Sequence, residues 1–322
     1  MLYVIFGVAV ALVAAALLVA AYLAHVTRRI ARRAEKAVPA MGKFVDINGN
    51  RIHYVERGEG RPILMIHGLG GTLHHLRRPL MESFGDGYRL IAIDRAGSGY
   101  SMAAPGFGGT LAEQARQVAG VIAALGLEKP LLVGHSLGGA VALATALDHP
   151  DKISGLALIS PLTRFEPQLP AEFKPLAIES PLRRRLVAHT IAVPMSVKNA
   201  PMVLDRVFGP QQPPEDYAVA GGAMVSLRPQ HFYATSTDLV GSRRDLAQYE
   251  ARYAELSMPV GILFGTEDRV LDYQRQGVAM TERIAGLDLE IVDGVGHMPQ
   301  FAVTDRVVAF IRRIAERAFT LA

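Results

Sequence analysis

LLVGHSLGGA, residues 131–140, decides how this chain is read. An apolar run over 131–133 leads into Gly134-His135-Ser136-Leu137-Gly138, and an alanine-rich helical pattern over 137–148 follows. A sharp strand-to-helix turn that exposes a nucleophilic serine needs small residues two positions either side of it. Gly134 and Gly138 fill those positions, and Gly139 lets the helix pack closely. The pattern occurs nowhere else: Ser98 comes nearest, with Ala96 and Tyr100 at the glycine positions. Alone, the stretch could be a structural turn, so its context must decide.

The context is an alternation. Short apolar runs of buried-strand type lie at 62–68, 88–94, 130–136, 153–160, 259–265 and 287–293. Helical patterns fall at 73–84, 110–125, 137–148, 269–285 and 303–317. Strands alternating with helices predict an α/β fold with a mainly parallel sheet covered on both faces. KFVDINGNRIHYVERG (43–58) places two alternating runs around Asn48-Gly49, a hairpin that adds antiparallel strands at one edge. Between Pro161 and about Asp245 the rhythm breaks: prolines, methionines and aromatics are frequent and no buried strand is evident. This reads as a mostly helical insertion at the carboxyl end of the 153–160 strand, the end where open α/β sheets bind ligands.

The 322 residues suffice for one large domain or two small ones. The chain has no cysteine, which excludes disulfides, cysteine zinc sites and a thiol nucleophile. Much of the net charge of +4 comes from Arg28, Arg29, Arg32, Arg33 and Lys36, and no other basic stripe with interleaved aromatics points to nucleic acid. Residues 2–24, LYVIFGVAVALVAAALLVAAYLA, are uncharged. As a helix they extend roughly 34 Å, enough to span a hydrocarbon core, and Tyr3 and Tyr22 stand near the two ends. The rivals are a buried core helix and a cleaved signal peptide, the latter normally with a basic start and a shorter apolar run. The basic cluster just after the helix predicts a single-pass membrane protein with its catalytic domain in the cytoplasm. The expected organisation is an anchor (1–25), a basic helical linker (26–42), a core (43–161 and 246–322) and a helical cap (162–245).

A serine hydroxyl needs a base within hydrogen-bond reach, and the base needs an orienting acid. In serine–acid–histidine order, both should lie just past later strands. Asp268, in GTED, follows the 259–265 run; His297, in GVGHMPQ, follows 287–293. Glu267, Asp272 and Glu166 are the rival acids. His67-Gly68-Leu69-Gly70-Gly71, after the 62–66 strand, offers a donor-rich turn for an oxyanion, and the Leu137 amide at the helix start offers a second donor. Among the other histidines, His67 reads as structural, His135 as packing, and the neighbours His74 and His75 as helix surface.

With HGLGG, GHSLGG, GTED and GVGH in this order and spacing, and DRAGSGYS at 94–101, residues 43–318 resemble the α/β-hydrolase fold superfamily, in particular serine-triad, esterase- or lipase-like members with a helical cap. The resemblance implies an eight-stranded-type sheet, Ser136 as nucleophile, His297 as general base, Asp268 as acid, and the Leu69 and Leu137 amides as oxyanion hole. Serine at the elbow, where relatives that open epoxides or remove halides carry aspartate, implies an acyl-enzyme and hence a carboxylic-ester hydrolase. Phe165, Phe173, Met195, Phe208, Met224 and Phe232 of the insertion are candidates for lining an apolar acyl pocket. An anchored enzyme would meet medium-chain or lipid-like esters. Acyltransferase, perhydrolase, lactonase or C–C hydrolase chemistry stays open, as does a non-catalytic ligand receptor on the same fold. No metal-ligand spacing stands out, and the chemistry requires no cofactor.

Overall fold

The computed structural model describes residues 1–321. Its strands are β1 (Lys43–Ile47), β2 (Asn50–Arg57), β3 (Arg61–Ile66), β4 (Tyr88–Ile93), β5 (Leu131–His135), β6 (Gly155–Ile159), β7 (Val260–Gly265) and β8 (Asp288–Val292). They form one sheet in the order β1-β2-β4-β3-β5-β6-β7-β8. From β4 to β8 every pairing is parallel, and β1 and β2 join antiparallel at one edge. The edge hairpin turns at Asn48 and Gly49, both at positive φ (49° and 81°), which suits the right-handed strand twist. The central strands β5, β6 and β7 are buried along their whole length, as strands covered on both faces must be.

One face of the sheet carries the helices Leu111–Ala124 and Leu137–Asp148; the other carries Thr304–Leu321 and the segment 74–81. Thr110 and Glu113 form a reciprocal capping box that starts the first of these. In the second, every residue from Leu137 to Leu147 is buried, so a helix apolar all round has found the interior that such a helix needs.

Two of the helices predicted from sequence are broken. Over 73–84 a single turn, His74–Leu76, passes into a π-helical turn, Arg77–Met81, around Pro79, which has no N–H for the regular ladder. Over 269–285 only Tyr273–Gln276 is α-helical and Val278–Glu282 is a 3₁₀ turn. The break falls at Gly277, where a Cβ would lie 2.7 Å from Phe264 Cδ2 of β7.

Between β6 and β7 the chain is helical: Pro181–Val187, a π-turn Ala188–Ala192, Val193–Phe208, a 3₁₀ turn Ala223–Leu227 and the long helix Pro229–Glu250. The N-terminal helix runs unbroken over Leu2–Ala37 and is long and apolar enough to cross a membrane. Its last turns are a packed arm rather than a free tether: Thr27, Ala31, Ala34 and the following Val38 are buried. Tyr100 Oη donates to Val38 O at 2.5 Å, and Arg228 pairs with Glu35 at 2.8 Å.

Phe310 of the C-terminal helix is fully buried over Gly261 of β7, where a Cβ would lie 3.0 Å from its ring. Phe310→Ala should therefore lower unfolding free energy by about 3–5 kcal/mol, measured by urea denaturation of detergent-solubilised protein followed by circular dichroism.

Candidate active site

Ser136 sits where β5 ends and the helix Leu137–Asp148 begins, at φ 53° and ψ −121°. A non-glycine residue there costs about 1–3 kcal/mol and persists only if its surroundings enforce it. Here they do. Ser136 N donates to Ile159 O of β6 at 3.1 Å, while Gly139 N and Leu162 N both donate to Ser136 O at 2.9 Å. The flanking glycines leave no alternative: a Cβ on Gly134 would lie 2.5 Å from Gly138 O, and one on Gly138 would run into Ile66 O of β3. The turn thus projects a half-buried serine at the carboxyl end of the sheet, beside the point where β3 has β4 on one side and β5 on the other.

Beyond β7 and β8 the loops bring Asp268 and His297 together. His297 Nδ1 donates to Asp268 Oδ2 at 2.7 Å, with both side chains almost completely buried. Asp268 Oδ1 accepts from Val270 N and Leu271 N at 2.8 and 2.9 Å, which fixes the carboxylate. The rival acids are otherwise engaged: Asp272 caps the short helix after it, Glu166 pairs with Arg275, and Glu267 is exposed. The imidazole of His135, the residue before Ser136, lies 4.9 Å from that of His297, and its Nε2 donates to His297 O at 2.9 Å. His297 therefore stands over the strand that carries Ser136. Among the described residues, nothing in the chain hydrogen-bonds His297 Nε2 or Ser136 Oγ.

A second aspartate–histidine pair, Asp94 and His53, has the same 2.7 Å separation. His53, however, is fully buried, and its Nε2 donates to Met41 O. With both nitrogens spent, that pair joins the edge hairpin to the loop after β4. Of the two aspartate-paired histidines, His297 is the one whose second nitrogen no described residue occupies.

The turn after β3 is shaped by groups that no simple spacing announced. Arg95, 1 % exposed, donates from Nε to His67 O (3.1 Å) and from Nη2 to Gly68 O (3.0 Å). Its Nη1 reaches Gln114 Oε1 (2.5 Å) and Asp238 Oδ2 (2.7 Å). His231, from the same helix as Asp238, accepts from Gly99 N on Nδ1 and donates from Nε2 to Gly70 O at 3.0 Å. The carbonyls at 67, 68 and 70 are all drawn away from the serine. Because a trans peptide sets its N–H opposite its C=O, holding Gly68 O on Arg95 turns the Leu69 N–H to the other side. Gly68 itself lies against the serine: a Cβ there would be 2.9 Å from Ser136 Cβ. The Leu137 amide, at the first position of its helix, has no partner within the helix either. His67 is structural, its Nδ1 donating to Gly68 O and its Nε2 accepting from Arg95 N.

The apolar candidates of the insertion disperse. Phe208 is buried in an aromatic cluster with Tyr217 and Phe301 and packs with Met298, next to His297. Phe173, Met224 and Phe232 are half-buried. Phe165 lies under the Arg243 guanidinium and packs on the core. Met195 is partly exposed, on the helix Val193–Phe208 that follows the buried Ala188 and Ala192. His74 and His75 are not helix surface. His74 is buried, and half-buried His75 shares a 3.0 Å hydrogen bond with Tyr217 Oη, because the π-turn folds this segment under the insertion.

Comparison with known proteins agrees with this fold. The model of the alpha/beta hydrolase fold family matches residues 61–302. The chain is 27% identical over 283 residues to the dihydrolipoyllysine-residue acetyltransferase component of the acetoin cleaving system of Cupriavidus necator, covering 87% of this chain and 70% of that protein. It is 26% identical over 288 residues to the 2-hydroxy-6-oxononadienedioate/2-hydroxy-6-oxononatrienedioate hydrolase of Burkholderia vietnamiensis, covering 85% and 96%. An alpha/beta hydrolase fold protein from Burkholderia ambifaria superposes with a TM-score of 0.69 at 22% identity, covering 84% of this chain and 99% of that one.

Two outcomes follow. Asp238→Asn leaves the Arg95 charge buried without its counter-ion and should cost about 3–5 kcal/mol in stability, read by chemical denaturation. Burial also holds the neutral form of several histidines: His74 and His231 are pushed down to about 4 and His75 to about 3. The unfolded chain takes up those protons near 6.5. The stabilising contribution is therefore complete above about pH 6.5 and is lost as pH falls below it, so the thermal midpoint should drop steadily between about pH 7 and about pH 4.

Proposed function

We propose that this chain, which belongs to the α/β hydrolase fold family, is a membrane-anchored serine hydrolase that cleaves carboxylic esters through an acyl-enzyme on Ser136. The observation that carries the reading is the free Nε2 of His297, held by Asp268 beside a serine fixed at positive φ. Ser136 Oγ attacks the ester carbonyl as His297 Nε2 takes its proton. Asp268 keeps the proton of Nδ1 in place and stabilises the imidazolium. The amides of Leu69 and Leu137 receive the oxyanion, the second at a helix N-terminus that favours negative charge. His297 then protonates the departing alcohol and activates the water that releases the acid.

The lipophilic character of the substrate is inferred from two features. Phe173, Met224 and Phe232 offer partly covered apolar surface in the insertion, which serves as a cap. On this reading the N-terminal helix would hold the enzyme where medium-chain and lipid-like esters concentrate, and the basic residues after that helix support a cytoplasmic catalytic domain. A second reading, C–C bond hydrolysis by the same serine, is favoured by the full-length similarity to the Burkholderia vietnamiensis hydrolase.

A fluorophosphonate probe should label the wild type and leave Ser136→Ala unlabelled; labelling that survives in the variant would sink the assignment. Asp268→Asn should reduce kcat for an ester by roughly 10⁴-fold. Across p-nitrophenyl esters the rate should peak at chains longer than butyrate. Ester turnover that is negligible throughout, with turnover of a 2-hydroxy-6-oxo dienoate, would select the second reading.

A further inference from the structure

The N-terminal helix and the insertion are bound together at the height of a membrane surface. The uncharged run ends at Ala24. Ala20, Leu23 and Ala24 are already partly covered by the folded chain, and Thr27, Ala31 and Ala34 continue the same face into full burial. The elements that cover this face are the π-turn Ala188–Ala192, the helix Val193–Phe208 and the turn Ala223–Leu227. The closest tie has a cause in the sequence. Pro194 has no N–H for the carbonyl four residues back, and Thr27 Oγ1 donates to that carbonyl, Thr190 O, at 2.5 Å. Thr27 is three residues past Ala24, about 4.5 Å along the axis. The polar layer outside the hydrocarbon is about 5–8 Å thick on each side. Thr190 therefore lies within that layer whenever residues 2–24 span the bilayer.

What the insertion shows at that height is apolar. Leu182, Leu186, Ile191, Met195 and Met202 are exposed, Leu182 by 82 % and Leu186 by 62 %. Their spacings of four, five, four and seven keep them on one side, because the five-residue step crosses the wider π-turn. The opposite side is fixed inward: the buried Arg184 donates to Ile178 O, Ser236 Oγ and Thr237 Oγ1. The charges around the stripe are mostly cationic, and the carboxylates at its ends, Glu179 and Asp205, are paired with Arg244 and Arg269. Arg28, Arg29, Arg32 and Arg33 are exposed on the arm, and Arg183 and Arg185 on the insertion. An apolar stripe bordered by arginines is the pattern of a helix that lies in the plane of an anionic membrane surface.

We propose that the face of the helical segment 181–208 carrying these five residues is embedded in the headgroup layer of the anionic leaflet that the N-terminal helix enters. The inference rests on the membrane-spanning reading of residues 2–24 and extends it from a tether to a second, interfacial contact made by the cap. The cap then meets an ester from the lipid side, and the arm fixes its height.

The absence of cysteine allows a direct test on the full-length chain. Single variants Leu186→Cys, Met202→Cys, Val13→Cys and Glu128→Cys carry an environment-sensitive fluorophore in nanodiscs of mixed phosphatidylethanolamine and phosphatidylglycerol, each variant first checked for probe labelling at Ser136. Spin-labelled lipids with shallow or deep quenchers report depth. The expected result is blue-shifted emission with shallow quenching at 186 and 202, deep quenching at 13, and neither at 128, at the far end of the sheet. Quenching at 13 with water-like, unquenched emission at 186 and 202 keeps the anchor and overturns the interfacial contact. Blue-shifted emission at 186 and 202 without lipid quenching also overturns it, and assigns the face to a second copy of the chain. No quenching at 13 removes the anchor and this inference with it.

Discussion

The buried guanidinium of Arg95 is the contact on which the geometry of the site depends. It stands just past the end of β4 and touches three layers of packing at once: the carbonyls of His67 and Gly68 in the turn after β3, Gln114 of the helix Leu111–Ala124, and Asp238 of the helix Pro229–Glu250 packed against it. A charge taken this far from water is costly, and it persists because a carboxylate and three oxygens replace its hydration shell. The replacement holds only if all three layers are assembled. The orientation of the Leu69 amide is thus set by the packing of the whole domain, not by the glycine-rich turn alone. His231 completes the arrangement by fixing Gly70 O and Gly99 N from above.

The two aspartate–histidine pairs show how small the difference between scaffold and chemistry is. Distance and burial are nearly the same in both. What separates them is whether the second imidazole nitrogen is spent. At His53 a backbone carbonyl occupies it; at His297 nothing in the described chain does. Asp268 illustrates the same logic from the acid's side: of four nearby carboxylates, it is the one whose other oxygen is satisfied by two backbone amides, so it is oriented without being tied to a competing cation.

Much of this was legible in the residues. The runs 130–136 and 153–160, the hairpin at Asn48-Gly49 and the serine with its two glycines are local signals, and local sterics suffice to read them. Asp268 and His297 were legible because each follows a strand in chain order, where the sheet's parallel winding brings loop ends to one side. Illegible were partners whose meaning is tertiary. Asp238 lies in a helix with no motif around it, and only the fold places it against Arg95, 143 residues away in sequence. The helix expected at 269–285 failed for a similar reason: its breaking point, Gly277, answers to the ring of Phe264 on another element.

The same contacts divide the insertion between β6 and β7 into a fixed and a freer part. The helix Pro229–Glu250 is bound to the core along its length: His231 to Gly70, Asp238 to Arg95, and Asp245 to the Leu111 and Ala112 amides, both at 3.0 Å. Moving it would expose Arg95 and uncap a core helix together, and the loss of the Arg95 pair alone is worth several kcal/mol. The segment 181–208 has no comparable hold on the sheet. Its main buried polar tie, Arg184, goes to the fixed helix; Thr190 is tied to the N-terminal arm, and Asp205 pairs with Arg269 of the loop after β7 at 3.1 Å. The segment that touches the N-terminal helix also ends beside the candidate site, where Phe208 packs with Met298, the residue after His297.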